Sequence, residues 1–100
     1  MAKEVILTPI AIINYEDIID YLIVNWGTTV TTNFIARFEN LCQLISESPA
    51  IFPFINKSKQ VQKCVLTKHN VLYFKEYSNS IKILAIFDTR QNPEKLASLI

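Results

Sequence analysis

The run Val61-Gln62-Lys63-Cys64-Val65-Leu66-Thr67-Lys68-His69-Asn70-Val71-Leu72-Tyr73-Phe74-Lys75-Glu76-Tyr77-Ser78-Asn79-Ser80-Ile81-Lys82-Ile83-Leu84-Ala85-Ile86-Phe87-Asp88 sets the architecture of this chain. Three β-prone stretches, Val61–Thr67, Val71–Tyr77 and Ile81–Asp88, are separated by Lys68-His69-Asn70 and Ser78-Asn79-Ser80. Connections this short between strands give antiparallel neighbours, so the reading is a meander. Val71 to Phe74 are apolar in succession, and so are Ile83 to Phe87. Strands of that kind need cover on both faces rather than one.

Upstream, Glu4 to Leu7 is a short strand ended by Thr8-Pro9, a helix N-cap with proline in the first turn. Ala11, Tyr15, Ile18, Leu22 and Trp26 then recur at helical spacing, with Asn14, Asp17 and Asp20 largely off that face. The glycine Gly27 is expected to end this helix as a left-handed cap, and Thr28 to cap a second one carrying Val30, Phe34, Phe38, Leu41 and Ile45. Two amphipathic helices joined by so short a turn pack as an antiparallel hairpin, with the aromatics, Trp26 included, in the core. Ser48-Pro49 stops the second helix. Residues 48–60 read as a loop around Pro49 and Pro53, with Ile51, Phe52 and Phe54 tucked beneath it. The expected fold class is therefore α+β: a short strand and a helical hairpin on a three- to four-stranded, mainly antiparallel sheet.

A two-helix hairpin covers one face of such a sheet. Cover for the other face must come from the Pro53 loop, the segment from Pro93, a second copy, or a partner. Asn92-Pro93 can start a last helical turn whose Leu96, Leu99 and Ile100 would dock there.

With 100 residues, half of them apolar, the chain is read as one domain, residues 1–100, with a single core. Its N-terminus lacks the apolar run of a signal peptide and no stretch suits a membrane span, so the expected location is the cytoplasm. Cys42 and Cys64 sit in apolar patterns without ligand spacing and read as core residues. One glycine leaves no room for a Gly-rich phosphate loop, and the lone His69 sits in a turn, so neither a cofactor nor a metal is expected. Charge is lopsided. Residues 1–56 carry two Lys/Arg against six Asp/Glu, and the remainder carries eight against three, so the C-terminal half can meet an acidic partner.

The densest polar cluster is Asp88-Thr89-Arg90-Gln91-Asn92, where the last strand leaves the sheet. Arg90 can clamp a phosphate or carboxylate with its planar fork, and Lys57, Lys59 and Lys63 can follow a nucleic-acid backbone. The plainer alternative is an Asp88–Arg90 pair that fixes the exit of the chain.

Two segments, residues 65–74 and Ile86-Phe87-Asp88-Thr89-Arg90-Gln91-Asn92-Pro93, taken with Asn25-Trp26-Gly27 at the hairpin turn, resemble the RelE/ParE toxins of bacterial type II toxin–antitoxin (plasmid stabilisation) systems. The resemblance implies a small growth inhibitor neutralised by a cognate antitoxin laid along Leu72, Phe74, Leu84, Ile86 and Leu96, as a homodimer or a heterotetramer with that antitoxin. ParE-like members resemble non-enzymatic inhibitors of DNA gyrase, for which Asp88, Arg90, Asn92 and Lys63 would form the target contact. RelE-like members resemble ribosome-dependent mRNA endoribonucleases, for which Lys63, Tyr73 and Arg90 would be the catalytic set, with His69 the other proton carrier. No His or Tyr follows Arg90, and near-neutral charge suits a dedicated ribosome ligand poorly, which favours the ParE-like mode. A non-toxic relative that persists as a binding module is the remaining alternative.

Overall fold

In the computed structural model, residues 2–90 are described. Strand β1 (Glu4–Leu7) leads into one helical segment, α1 (Pro9–Glu47), and a 3-10 turn at Pro49–Ile51. Strands β2 (Phe54–Asn56), β3 (Val61–Thr67), β4 (Asn70–Glu76) and β5 (Ser80–Asp88) follow. They form one five-stranded sheet in the order β1-β5-β4-β3-β2. The meander is antiparallel as expected, its strands agreeing with the sequence within a residue, while β1 lies parallel to β5 with Glu4 opposite Ser80.

The helical segment is a hairpin. A straight helix of its 39 residues would reach about 58 Å, yet the longest dimension of the molecule is 38 Å. Tyr15 stacks against Phe38 at 4.6 Å and Phe34 at 6.1 Å, so the two arms lie side by side. The reversal falls at Gly27, whose φ of 86° and ψ of −176° differ from the left-handed helical cap expected of it. Essentially only glycine adopts that region, because any Cβ is strained there. Thr31 donates its hydroxyl back to the Gly27 carbonyl at 2.8 Å, a bond within the first turn of the second arm.

Thr8 caps the first arm as expected, its Oγ1 accepting from the Ala11 amide at 3.2 Å. The same hydroxyl donates to the Leu84 carbonyl at 2.9 Å, and Asn14 Oδ1 accepts from the Ile86 amide at 3.0 Å. These bonds take up the edge of β5 just where the short β1 has run out. Asn14 therefore faces the sheet, where helical periodicity placed it off the packing face.

Alternation sorts the sheet into two apolar layers. Cys64, Leu66, Leu72, Phe74, Ile81, Ile83 and Ile86 meet Ala11, Phe34, Phe38 and Ile45 of the hairpin in the main core. On the other face Val61, Val71, Tyr73 and Phe87 form a second cluster with half-buried Leu84. None of those four is more than 9% exposed, and Ala85, opposite Tyr73, is fully buried. Val65, opposite Val71, is 56% exposed on this same face and Leu84 is half-buried, so the second face is only partly covered among the described residues; the segment from Pro93, one of the expected covers, lies outside them.

The expected loop of residues 48–60 contains β2, which pairs antiparallel with β3. Buried Gln62 pins this segment, its Nε2 donating to the carbonyls of Pro49 at 2.7 Å and Phe52 at 3.1 Å. Phe52 is tucked in and meets Phe74 edge-on at 5.7 Å. Ile51 and Phe54 are exposed, contrary to expectation, because β2 is an edge strand of three residues with little beside it. No helix among the described residues is long and apolar enough to cross a membrane.

Candidate functional site: a groove between the hairpin tip and the sheet corner

At the corner where β5 ends, Asn70 of β4 stands opposite Asp88. Thr67 ties the β3–β4 turn, its Oγ1 accepting from Asn70 Nδ2 at 2.9 Å and from the His69 amide at 3.3 Å. The Thr89 amide donates to the His69 carbonyl at 2.8 Å, so the turn and the exit of β5 are clamped side by side.

Asp88 and Arg90 form a chelate across this clamp. Arg90 donates from Nε to Oδ1 at 3.0 Å, from Nη2 to Oδ2 at 2.7 Å, and from its backbone amide to Oδ1 at 2.9 Å. Side-chain hydrogen bonding from Arg90 holds the Asp88 carboxyl below the usual carboxylate range, with the backbone bond and the cationic charge adding to it. The same bond raises the Arg90 guanidinium above its ordinary value, and the Tyr21 side chain lies near enough to add to that rise. The Arg90 side chain remains 58% exposed. Two of its five N–H donors serve Asp88 as side-chain bonds, and the rest of the fork can serve another acceptor.

Facing this corner is the tip of the hairpin. Between them runs a groove of about 720 Å³. One wall is Ile18, Tyr21, Leu22, Trp26, Val30 and Phe34. The other is Thr67, Lys68, His69, Asn70, Asp88 and Arg90, with Ile86, Phe87, Asn14, Asp17, Asn33 and Arg37 completing the lining. Arg37 is fixed there by donating its Nε to the Leu66 carbonyl. Tyr21 and Trp26 were expected in the core, but they are 51% and 63% exposed. Both residues line the groove on the approach to the Gly27 reversal rather than packing onto the sheet.

Of the expected target contacts, Asp88 and Arg90 stand together at this corner, and Asn92 lies outside the described residues. Lys63 is elsewhere, opposite Tyr73 on the second face. The Lys63–Tyr73 pair lies opposite Ala85, three residues of register before Asp88 at the end of β5, about 10 Å along the strands, and neither Lys63 nor Tyr73 lines the groove that holds Arg90. The structure does not bring Lys63, Tyr73 and Arg90 into one site. Tyr73 is only 7% exposed, and burial raises its hydroxyl.

Of the expected antitoxin contacts, Leu72, Phe74 and Ile86 must be corrected. They are 0%, 0% and 4% exposed, in the core under the hairpin, where no second chain can reach them. The apolar run of β4 and β5 hid which residues faced the helices. Leu84 is half-buried on the second face, and Leu96 lies outside the described residues. Cys42 and Cys64 both belong to the main core, and burial pushes the Cys42 thiol up to about 11. Among the described residues no cluster of His, Cys, Asp and Glu could hold a metal ion.

No family model and no curated protein matches the sequence. Solved structures do match the fold, which is of the RelE/ParE type. Over 87% of this chain and 96% of the other, it is similar to a chain of the chromosomal ParDE toxin–antitoxin system of P. aeruginosa, with a TM-score of 0.72 and 15% identity. Likewise it is similar to the YoeB dimer of Staphylococcus aureus, with a TM-score of 0.62, 14% identity and coverage of 87% and 97%. For the YoeB–YefM complex of the same organism the TM-score is 0.59, at 14% identity and the same coverage.

Proposed function

We propose that this chain is the toxin of a type II toxin–antitoxin pair, held inactive by a cognate antitoxin, and that it acts in the ParE-like manner, by binding and inhibiting DNA gyrase. The fold shared with chains of ParDE and YoeB systems supports the toxin reading. The separation of Lys63 and Tyr73 from Arg90 carries the choice of mode. An RNA-cutting site needs a proton carrier and a phosphate stabiliser on one scissile bond, within about 3 Å of the reacting atoms. Lys63 and Tyr73 lie on the second face of the sheet, and neither lines the groove that holds Arg90. A binding mode asks less: an exposed Trp, Tyr and Arg around a groove is the composition that dominates protein-contact energetics.

A supercoiling assay with purified protein tests this. Inhibition at micromolar protein, relieved by the product of the adjacent reading frame, is the expected result, and full supercoiling at that excess contradicts it. Ribonuclease action is the second reading, since Tyr21, His69 and Arg90 share the groove. It requires cuts in ribosome-bound message that disappear in Arg90→Ala.

A further inference from the structure

The two walls of the groove differ in chemistry. Between Pro9 and Ala36 the chain has no Lys or Arg, so the hairpin wall offers apolar and aromatic surface with Tyr21 and Trp26 exposed. The sheet-corner wall offers Lys68 and Arg90, brought to one end by the Thr89–His69 clamp, and Arg37 is anchored two residues before Lys68 at the Leu66 carbonyl. Asp17 and Asp88 also line the groove, and the Asp88–Arg90 pair offsets both of its charges, so with Lys68 and Arg37 against Asp17 the lining keeps a net charge of +1, and Arg90 serves the phosphate through its remaining N–H donors.

We propose that this groove binds a free mononucleotide, its base lying on Tyr21 and Trp26 and its phosphate at Lys68 and Arg90. An aromatic platform accepts the π-face of any base, and fixed cations accept the phosphate. A volume of 720 Å³ falls within the roughly 300–1,000 Å³ of small-ligand sites. The placement of the cations selects a single nucleotide over a strand. A strand presents a phosphate at every step and calls for cations spaced along the groove. Here they gather at one wall, and the facing wall has none. The proposal does not rest on the toxin reading, but it draws on the same Tyr21, Trp26 and Arg90, so a nucleotide and a protein target would compete for the groove.

Trp26 is the only tryptophan and His69 the only histidine in the chain, and both line the groove, so the protein carries its own probes. Titrating the whole chain with AMP and with UMP should quench tryptophan emission saturably, with a Kd below about 1 mM. The His69 imidazole resonances should shift with the same Kd. Adenosine, which lacks the phosphate, and the Lys68→Glu variant with AMP should each bind roughly tenfold more weakly. The adenosine arm needs no variant, so the test survives a folding failure of Lys68→Glu. Absence of saturable change up to about 10 mM nucleotide overturns the proposal, as does adenosine binding as tightly as AMP. A single-stranded oligonucleotide binding roughly a hundredfold more tightly than AMP would assign the groove to a strand. Equal quenching by an acidic peptide would assign it to a protein partner. Either result also overturns the proposal. A negative outcome here leaves the gyrase assay unaffected, so the two readings fail separately.

Discussion

The base and the tip of the helical hairpin are built from similar residues and end in opposite environments. At the base, Ala11 and Ile45 are fully buried against Phe74, Ile81 and Ile83. Toward the tip, Tyr21, Val24 and Trp26 are exposed although they are as apolar as the residues below. What differs is the partner. The base packs into the main core with residues of β1, β3, β4 and β5, while the tip faces, across the groove, the corner where β3 turns into β4 and β5 leaves the sheet. Apolar side chains are buried where they meet the sheet, and those turned away stay exposed, Ile12 and Ile13 at the base as well as Trp26 at the tip; Trp26 differs in bordering the groove.

The largest expected effect separates the two regions directly. Phe74→Ala should cost about 3–5 kcal/mol of unfolding free energy, through lost burial plus a cavity. Trp26→Ala should change it by less than about 0.5 kcal/mol. Chemical denaturation followed by circular dichroism measures both, and equal losses would erase the contrast. Next comes the reversal between the arms. A Cβ at Gly27 meets nothing within 4 Å, so the penalty of Gly27→Ala is purely that of the backbone at φ 86°, about 1–3 kcal/mol. A smaller value would mean that the tip relaxes to another turn. Asn14→Ala should follow at about 1–2 kcal/mol, since it leaves the Ile86 amide without its acceptor. Exchange of that amide with deuterium should quicken.

Smaller effects belong to the surface. Lys75 and Lys82 stand directly opposite each other, each over the Tyr77 ring at 5.6 and 5.3 Å. Like charges in that position repel, so Lys82→Glu should raise stability by about 0.2–1 kcal/mol. The Asp88 carboxyl is held below its ordinary value of 3.8, so its contribution is complete above that pH and is lost as the pH falls through the lower folded value. Asp88→Asn should therefore differ from wild type near neutrality and converge with it in acid, by an amount limited by the exposure of the pair.

Much of the frame was legible in the residues. Short polar connections fixed the meander, Thr8-Pro9 marked the helix start, and Gly27 marked the reversal. Parallel pairing of β1 with β5 was not legible, because no local pattern says which edge of a sheet a distant four-residue strand will join. Nor could the continuous apolar run of β4 and β5 say which face each residue takes. One step of register sends Leu72 under the hairpin and Tyr73 to the opposite side. The Asp88–Arg90 pair could be read from local spacing. The groove could not, since it depends on how the hairpin tip and the β3–β4 turn come to face each other, which emerges only when the layers are stacked.

Growth of cells in which the chain is induced, with and without the change Arg90→Ala, tests most directly whether this corner is the working surface. Wild type is expected to arrest growth, and the variant, folded and with a melting temperature lowered by no more than the small contribution of the exposed Asp88 pair, to permit it. Arrest that persists undiminished in Arg90→Ala, or wild-type induction that leaves growth unaltered, would contradict the account.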